Sequence, residues 1–235
     1  MLFRRILLGM LTLVAVVSAG CTSKSDPQAA SGGRDAAALL NESAAATKDV
    51  KSAHFTLTVN GSIPGLSVHS AQGDLTKAGG PSGAAKGTVN MELLGNLFEG
   101  EFVLVDDSIY IKGPTGPYQR LPASLIANLY DPSAILNPDK GISKVLSSVT
   151  DPKIEGNETV DGQATVKVSG RATKDAVSSI VPGVSSDVDI TFWLREDNKQ
   201  PVKAEARLPG TDGKPASVQV TLSDVDKPVA ISKPV

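Results

Sequence analysis

Cys21 is the only cysteine of the chain, and it stands directly after the small residues Ser18, Ala19 and Gly20. A thiolate is the nucleophile needed to take up a diacylglyceryl group as a thioether. Small residues before it let a signal peptidase grip an extended backbone. Upstream, Arg4 and Arg5 form a short positive stretch, and positions 6–19 are almost wholly apolar. That length suits a secretory signal and falls short of the ~20 residues of a spanning helix. The pattern is a bacterial lipobox, with one departure: Ser18 stands where Leu or Val is commonest, and Val17 sits one step earlier. The alternative is an ordinary signal peptide with a chance cysteine, but an exported domain seldom keeps an odd thiol without a use. The expectation is that residues 1–20 are removed and that Cys21 is lipidated. The protein is then anchored to the cell membrane, facing the periplasm and cell wall. Anchoring becomes stable with about two acyl chains.

Other reactive residue types form no constellation. His54 and His69 fall on or near the polar faces of strands and read as surface histidines. No third ligand type sits at metal spacing, and no serine stands in a Gly-x-Ser-x-Gly setting. Asp106-Asp107 precedes Ser108 in a turn, and Thr115 lies in the Gly113–Pro117 loop without phosphate-cradle spacing. Asn60 and Asn157 match the glycosylation sequon, which means little in a bacterium. The formal net charge of −2 lacks the basic excess of a nucleic-acid binder. No enzyme activity, metal or cofactor is expected.

The elements that must position any site follow from periodicity. Residues 22–34 are rich in Ser, Gly, Ala and Pro and read as a tether, reaching about 19 Å root-mean-square. Residues 35–235 read as one domain. A helix is predicted over 35–51, with Asp35 near its start and Leu39, Leu40, Ala44, Thr47 and Val50 as its stripe. The period then changes to two. Phe55, Leu57 and Val59 alternate with polar residues, as do Val89, Met91 and Leu93. Phe98, Phe102 and Leu104 oppose Glu99 and Glu101, and the sets 166–168, 188–194, 202–208 and 218–222 repeat the pattern. Such alternation means an antiparallel sheet with one dry face. Hairpin turns are predicted at Asp161-Gly162 and within Gly79–Gly87, and residues 211–215 join the last long pair. Two interruptions look helical: 123–149, broken at Pro132 and Pro138 into two or three short helices, and 173–181, ended by Pro182. The order is helix, about five strands, helices, two strands, helix, three strands. The fold class is α+β: one large curved antiparallel sheet with helices on its apolar face.

That face is mostly aliphatic, since aromatic residues make up only 4% of the chain. Two arrangements remain open. Either the helices settle into a packed core, or small side chains leave an apolar cavity that takes apolar guests.

Several segments resemble a known family. They are Lys51-Ser52-Ala53-His54 leading to Leu57–Gly61 and Ile63-Pro64-Gly65-Leu66, then Leu129-Tyr130-Asp131-Pro132 and Ile135–Ile142. Val160-Asp161-Gly162-Gln163, Val166–Gly170, Val218–Ser223 and the terminal Lys233-Pro234-Val235 complete the set. Together these resemble the LppX/LprAFG lipoproteins of mycobacteria and other actinobacteria, the LprG branch most of all. Asp224-Val225-Asp226 departs from relatives that usually carry a Trp there. The resemblance implies a half-barrel sheet wrapped on helices with a hydrophobic cavity between them. It implies binding of acylated lipids such as triacylglycerol, phosphatidylinositol mannosides or lipoarabinomannan. It also implies their carriage outward from the inner membrane, with a membrane transporter as partner. On the family's pattern, Val89, Met91 and Leu93 line the cavity, with Phe98, Phe102 and Leu104 opposite. Leu125, Ile126, Leu129, Leu136 and Val145 form its lid or mouth. The competing reading is a structural or surface-interaction lipoprotein with a packed core and no lipid cargo.

Overall fold

The computed structural model describes residues 35–79, 83–93, 95–106, 108–122 and 132–234. Helix α1 spans Ala36–Lys48, and Asp35 caps it by accepting from the Ala37 amide at 3.0 Å. It ends three residues short of the expected Lys51 because the chain must extend into the next strand, with Asp49 as the closing cap. Leu39, Leu40, Ala44 and Thr47 form its buried stripe.

Eleven strands follow among the described residues. They are β1 (Ser52–Asn60), β2 (Val68–Thr76), β3 (Ala84–Leu93), β4 (Asn96–Val105), β5 (Ser108–Lys112) and β6 (Gln119–Pro122). After the helical segment come β7 (Thr150–Val160), β8 (Gln163–Ala172), β9 (Val188–Arg195), β10 (Pro201–Pro209) and β11 (Pro215–Ser223). Six strands, rather than about five, precede the helices, because β6 is four residues long and carries no alternation signal. All belong to one antiparallel sheet in the order β6-β5-β4-β3-β2-β1-β11-β10-β9-β8-β7, open at β6 and β7. Chain neighbours pair except β6 and β7, which form the two edges; β8 and β9 pair across the connection 173–187, and the long-range pairing joins β1 to β11, with Leu57 opposite Val220.

The turns follow local chemistry. Val160 pairs with Gln163 across Asp161 and Gly162, both at positive φ (48° and 76°), the geometry of a two-residue hairpin. The β2–β3 turn is shorter than the Gly79–Gly87 stretch, since pairing already begins at Thr76–Ala84. A 3₁₀ turn at Thr211–Gly213 joins β10 to β11.

Among the described residues, the helical interruption contains a 3₁₀ turn at Pro132–Leu136 and helix α2 (Ile142–Ser147), and its first part, 123–131, lies outside them. The expected helix over 173–181 contracts to α3 (Lys174–Val177), followed by further turns bonded from Ile180 and Val181 back to Val177. Ile135, Leu136, Ile142, Val145, Leu146, Ala176 and Val177 bury against the sheet in one continuous core.

The C-terminal tail returns to the start of β1. Asp226 accepts from the Lys51 amide at 2.7 Å, and Ser52 Oγ donates to the Lys227 carbonyl at 2.6 Å.

Candidate functional site

Register defines what each face of the sheet offers. On the helix-side face, one cross-strand row runs Leu57–Ala71–Val89–Gly100 and the next Phe55–Gly73–Gly87–Phe102–Ile111. A third runs Ala53–Leu75–Ala85–Leu104–Ile109–Leu121. The middle of β2–β4 is therefore floored by Ala71, Gly73, Ala85, Gly87 and Gly100. Larger apolar side chains edge it. Met91 and Phe102 are buried, whereas Val89, Phe98, Leu104, Ile111 and Leu121 pack on the core only in part.

The other half of the same face is sealed. Ile190, Phe192, Leu194, Val218 and Leu208 are all 5% exposed or less. Between β9–β11 and the helices a residual apolar void of about 40 Å³ remains, lined by Ile135, Ile142, Val145, Val177, Phe192 and Val220 among others. That is room for roughly one water molecule and not for an acyl chain. In this half the packed arrangement holds.

The sequence-predicted residues thus separate. Val89, Met91, Phe98, Phe102 and Leu104 come together on β3–β4, and Leu93 lies on the same strand, paired with Asn96. Val145, on α2, lines the void beside β9–β11, whereas Leu136 is buried on the 3₁₀ turn that packs against β2 and β3. Cys21, Leu125, Ile126 and Leu129 lie outside the described residues.

The opposite face carries a feature that one-dimensional reading missed. Two polar rows cross it side by side: Thr56–Gln72–Thr88–Glu101–Lys112 and Thr58–Ser70–Asn90–Glu99. They floor a concave groove of about 560 Å³ that continues to Gly113 and Pro114. Its charged end is ordered. Tyr118 Oη donates to Glu101 Oε2 at 2.6 Å, and Lys112 Nζ donates to Oε1 at 3.1 Å. The tyrosine bond first, then the lysine, hold the Glu101 carboxyl below the usual carboxylate range. Asn90 Nδ2 donates to Glu99 Oε1 at 2.7 Å, while its buried Oδ1 has no hydrogen-bond partner among the described residues. Alternation revealed that these residues are wet, but only the pairing register reveals that they are adjacent.

The histidines do surface work. His54 Nδ1 lies 2.9 Å from Asp74, itself beside Lys86, and His69 is exposed. Among the described residues, no group of three potential metal ligands occurs.

Comparison with known proteins gives a consistent picture. The family model described as LppX_LprAFG lipoprotein matches residues 35–231. The lipoarabinomannan carrier protein LprG of Mycobacterium tuberculosis is 40% identical over 236 residues, covering 98% of this chain and 95% of the relative. The protein of the same name from Mycolicibacterium smegmatis is 39% identical, covering 97% and 94%. Among solved structures, LprF from Mycobacterium bovis superposes with a TM-score of 0.75 at 31% identity, covering 85% of this chain and 96% of that one. Mycobacterium tuberculosis LppX, at 24% identity and TM-score 0.63 over 83% and 97%, shares the fold.

Proposed function

This chain belongs to the LppX_LprAFG lipoprotein family, and from that premise we propose that it binds acylated lipids on the helix-side face of β2–β6 and carries them outward from the membrane that anchors it through Cys21. The observation that supports this is the apolar face of β2–β6: Val89, Phe98, Leu104, Ile111 and Leu121 are only partly buried, beside a floor of Ala and Gly. Acyl chains need no catalytic group to stay there. Each buried CH₂ contributes about 0.8 kcal/mol, so a chain of roughly a dozen carbons gains about 10 kcal/mol before ordering costs. Relatives named as lipoarabinomannan carriers make an acylated glycolipid the cargo we favour, with phosphatidylinositol mannosides as smaller glycolipids and triacylglycerol as a sugar-free acylated alternative. Leu125, Ile126 and Leu129, in the segment preceding the 3₁₀ turn, are our choice for the lid. A membrane transporter is the partner that would load it.

One observation favours a second reading. The void of about 40 Å³ under α2 is what a structural lipoprotein with a packed core would have. The two part on cargo. Protein purified in mild detergent from an actinobacterial host should release acylated lipid on solvent extraction, detected by mass spectrometry at near-stoichiometric amount. Extracts no richer in lipid than those of an unrelated lipoprotein would favour the packed-core reading.

A further inference from the structure

The polar groove lies back to back with the apolar face, on the other side of the same strands. Its floor is made of side chains that both donate and accept: Thr56, Thr58, Ser70, Gln72, Thr88 and Asn90. Five strands set about 4.8 Å apart give the rows a span of about 19 Å. The volume of about 560 Å³ falls within the range of small-molecule sites, roughly 300–1,000 Å³.

The charges decide what it suits. Glu99 and Glu101 oppose the single Lys112, so an anionic ligand meets net repulsion. Both carboxylates are held by neighbours yet keep free acceptor capacity, since an ionised carboxylate has about four lone-pair sites and accepts only. Acceptors and amphoteric hydroxyls in two parallel rows match an uncharged, polyhydroxylated chain.

The groove also connects to the apolar face. Pairing of β4 with β5 stops at Glu101–Lys112, so Asn96–Gly100 form a stretch of β4 beyond that pairing. There the Phe98 ring packs so closely on Gly100 that a β-carbon at Gly100 would collide with it, and it also lies beside Gly113. Gly100 and Gly113 line the groove, while Phe98 belongs to the apolar core. The two sites meet over this edge.

We propose that the groove on the outer face of β1–β5 binds the neutral glycan of an acylated cargo whose chains lie on the inner face, the two halves joined over the β4 edge at Phe98–Gly100. This rests on the carrier reading for the origin of the glycan. Thr88 and Gln72 allow the test, because they are register partners in the polar row that floors the groove. The probe is the neutral glycan of lipoarabinomannan, freed of its acyl chains and phosphate, titrated calorimetrically into the purified lipoprotein after its co-purified lipid has been stripped. Wild type should bind it. Thr88→Trp, which fills the groove, should weaken binding at least tenfold, and Gln72→Ala should weaken it without adding bulk. Lys214→Ala, at an exposed turn outside both sites, should bind it as wild type does. A soluble wall polysaccharide that never carried acyl chains is the second probe, and it should bind at least tenfold more weakly. No binding of the deacylated glycan, or equal binding by Thr88→Trp and Gln72→Ala, would overturn the groove. Equal affinity for both probes would overturn its assignment to cargo. Protein that arrives loaded with lipid yet ignores the glycan sinks only the groove, while protein that is empty yet binds the glycan sinks only the carrier reading.

Discussion

Gly73 on β2 and Gly87 on β3 are direct register partners, and a β-carbon on either would overlap the backbone of the other's strand. At Gly73 it would meet the Lys86 carbonyl, and at Gly87 the Gln72 carbonyl. The strands approach this closely because neither residue has a side chain. On the inner face the pair leaves a gap between Phe55 and Phe102, three strand spacings or about 14 Å of sheet. Replacing either glycine with alanine should destabilise the fold by about 1–3 kcal/mol, the range for forced overpacking. Urea unfolding checks this, and an unchanged midpoint would mean the strands do not meet as described.

Glu101 gives a pH prediction. Its carboxyl is lowered by Tyr118 first and Lys112 second. A group whose folded pKa is depressed contributes stability above its unfolded pKa, and that contribution is lost as pH falls through the folded value. Tyr118→Phe removes the larger cause, so Glu101 should titrate at higher pH than in wild type. Carbon-detected NMR of the side-chain carboxyl reads this directly, and an unmoved titration would show that the hydroxyl bond does not form in solution.

Asp226 ties the tail to the entry of β1. It sits at φ 61° while accepting from the Lys51 amide. Asp226→Ala loses the bond and places a less tolerant residue in the left-handed region, costing about 1 kcal/mol. Asp226→Asn keeps an acceptor and tolerates that conformation, so thermal unfolding should show it closer to wild type. Equal loss in both variants would point to charge rather than to the bond.

The proposed anchor at Cys21 has its own test. Metabolic palmitate labelling should mark wild type and vanish in Cys21→Ala. Label that persists in the variant would place the acyl group elsewhere.

Strands were legible in the sequence because one face is dry: Phe55, Leu57, Val89, Met91 and Phe102 alternate with polar residues and face the helices. Asp35 and Asp161-Gly162 were legible because caps and tight hairpins depend on local chemistry. Strand β6 was not, since four edge residues with one inward leucine carry no period. Trp193 breaks the alternation. It shares β9 with buried Phe192 but faces the other way, 5% exposed, its ring 4.4 Å from Lys203 Nζ and 5.1 Å from Lys167 Nζ while Nε1 donates to Glu158. The glycine pair and the polar groove depend on which residues of different strands stand opposite one another. Register is set by non-local pairing, so no single strand displays it.

The central claim is that the inner face around Val89 holds acyl chains, and native mass spectrometry of Val89→Trp beside Thr88→Trp tests it most directly. An indole at 89 enters the space over Ala71 and Gly100, whereas one at 88 leaves that space untouched. Wild type and Thr88→Trp should retain co-purified acylated lipid, while Val89→Trp should lose most of it with its circular dichroism intact. Undiminished lipid in a folded Val89→Trp would contradict the account.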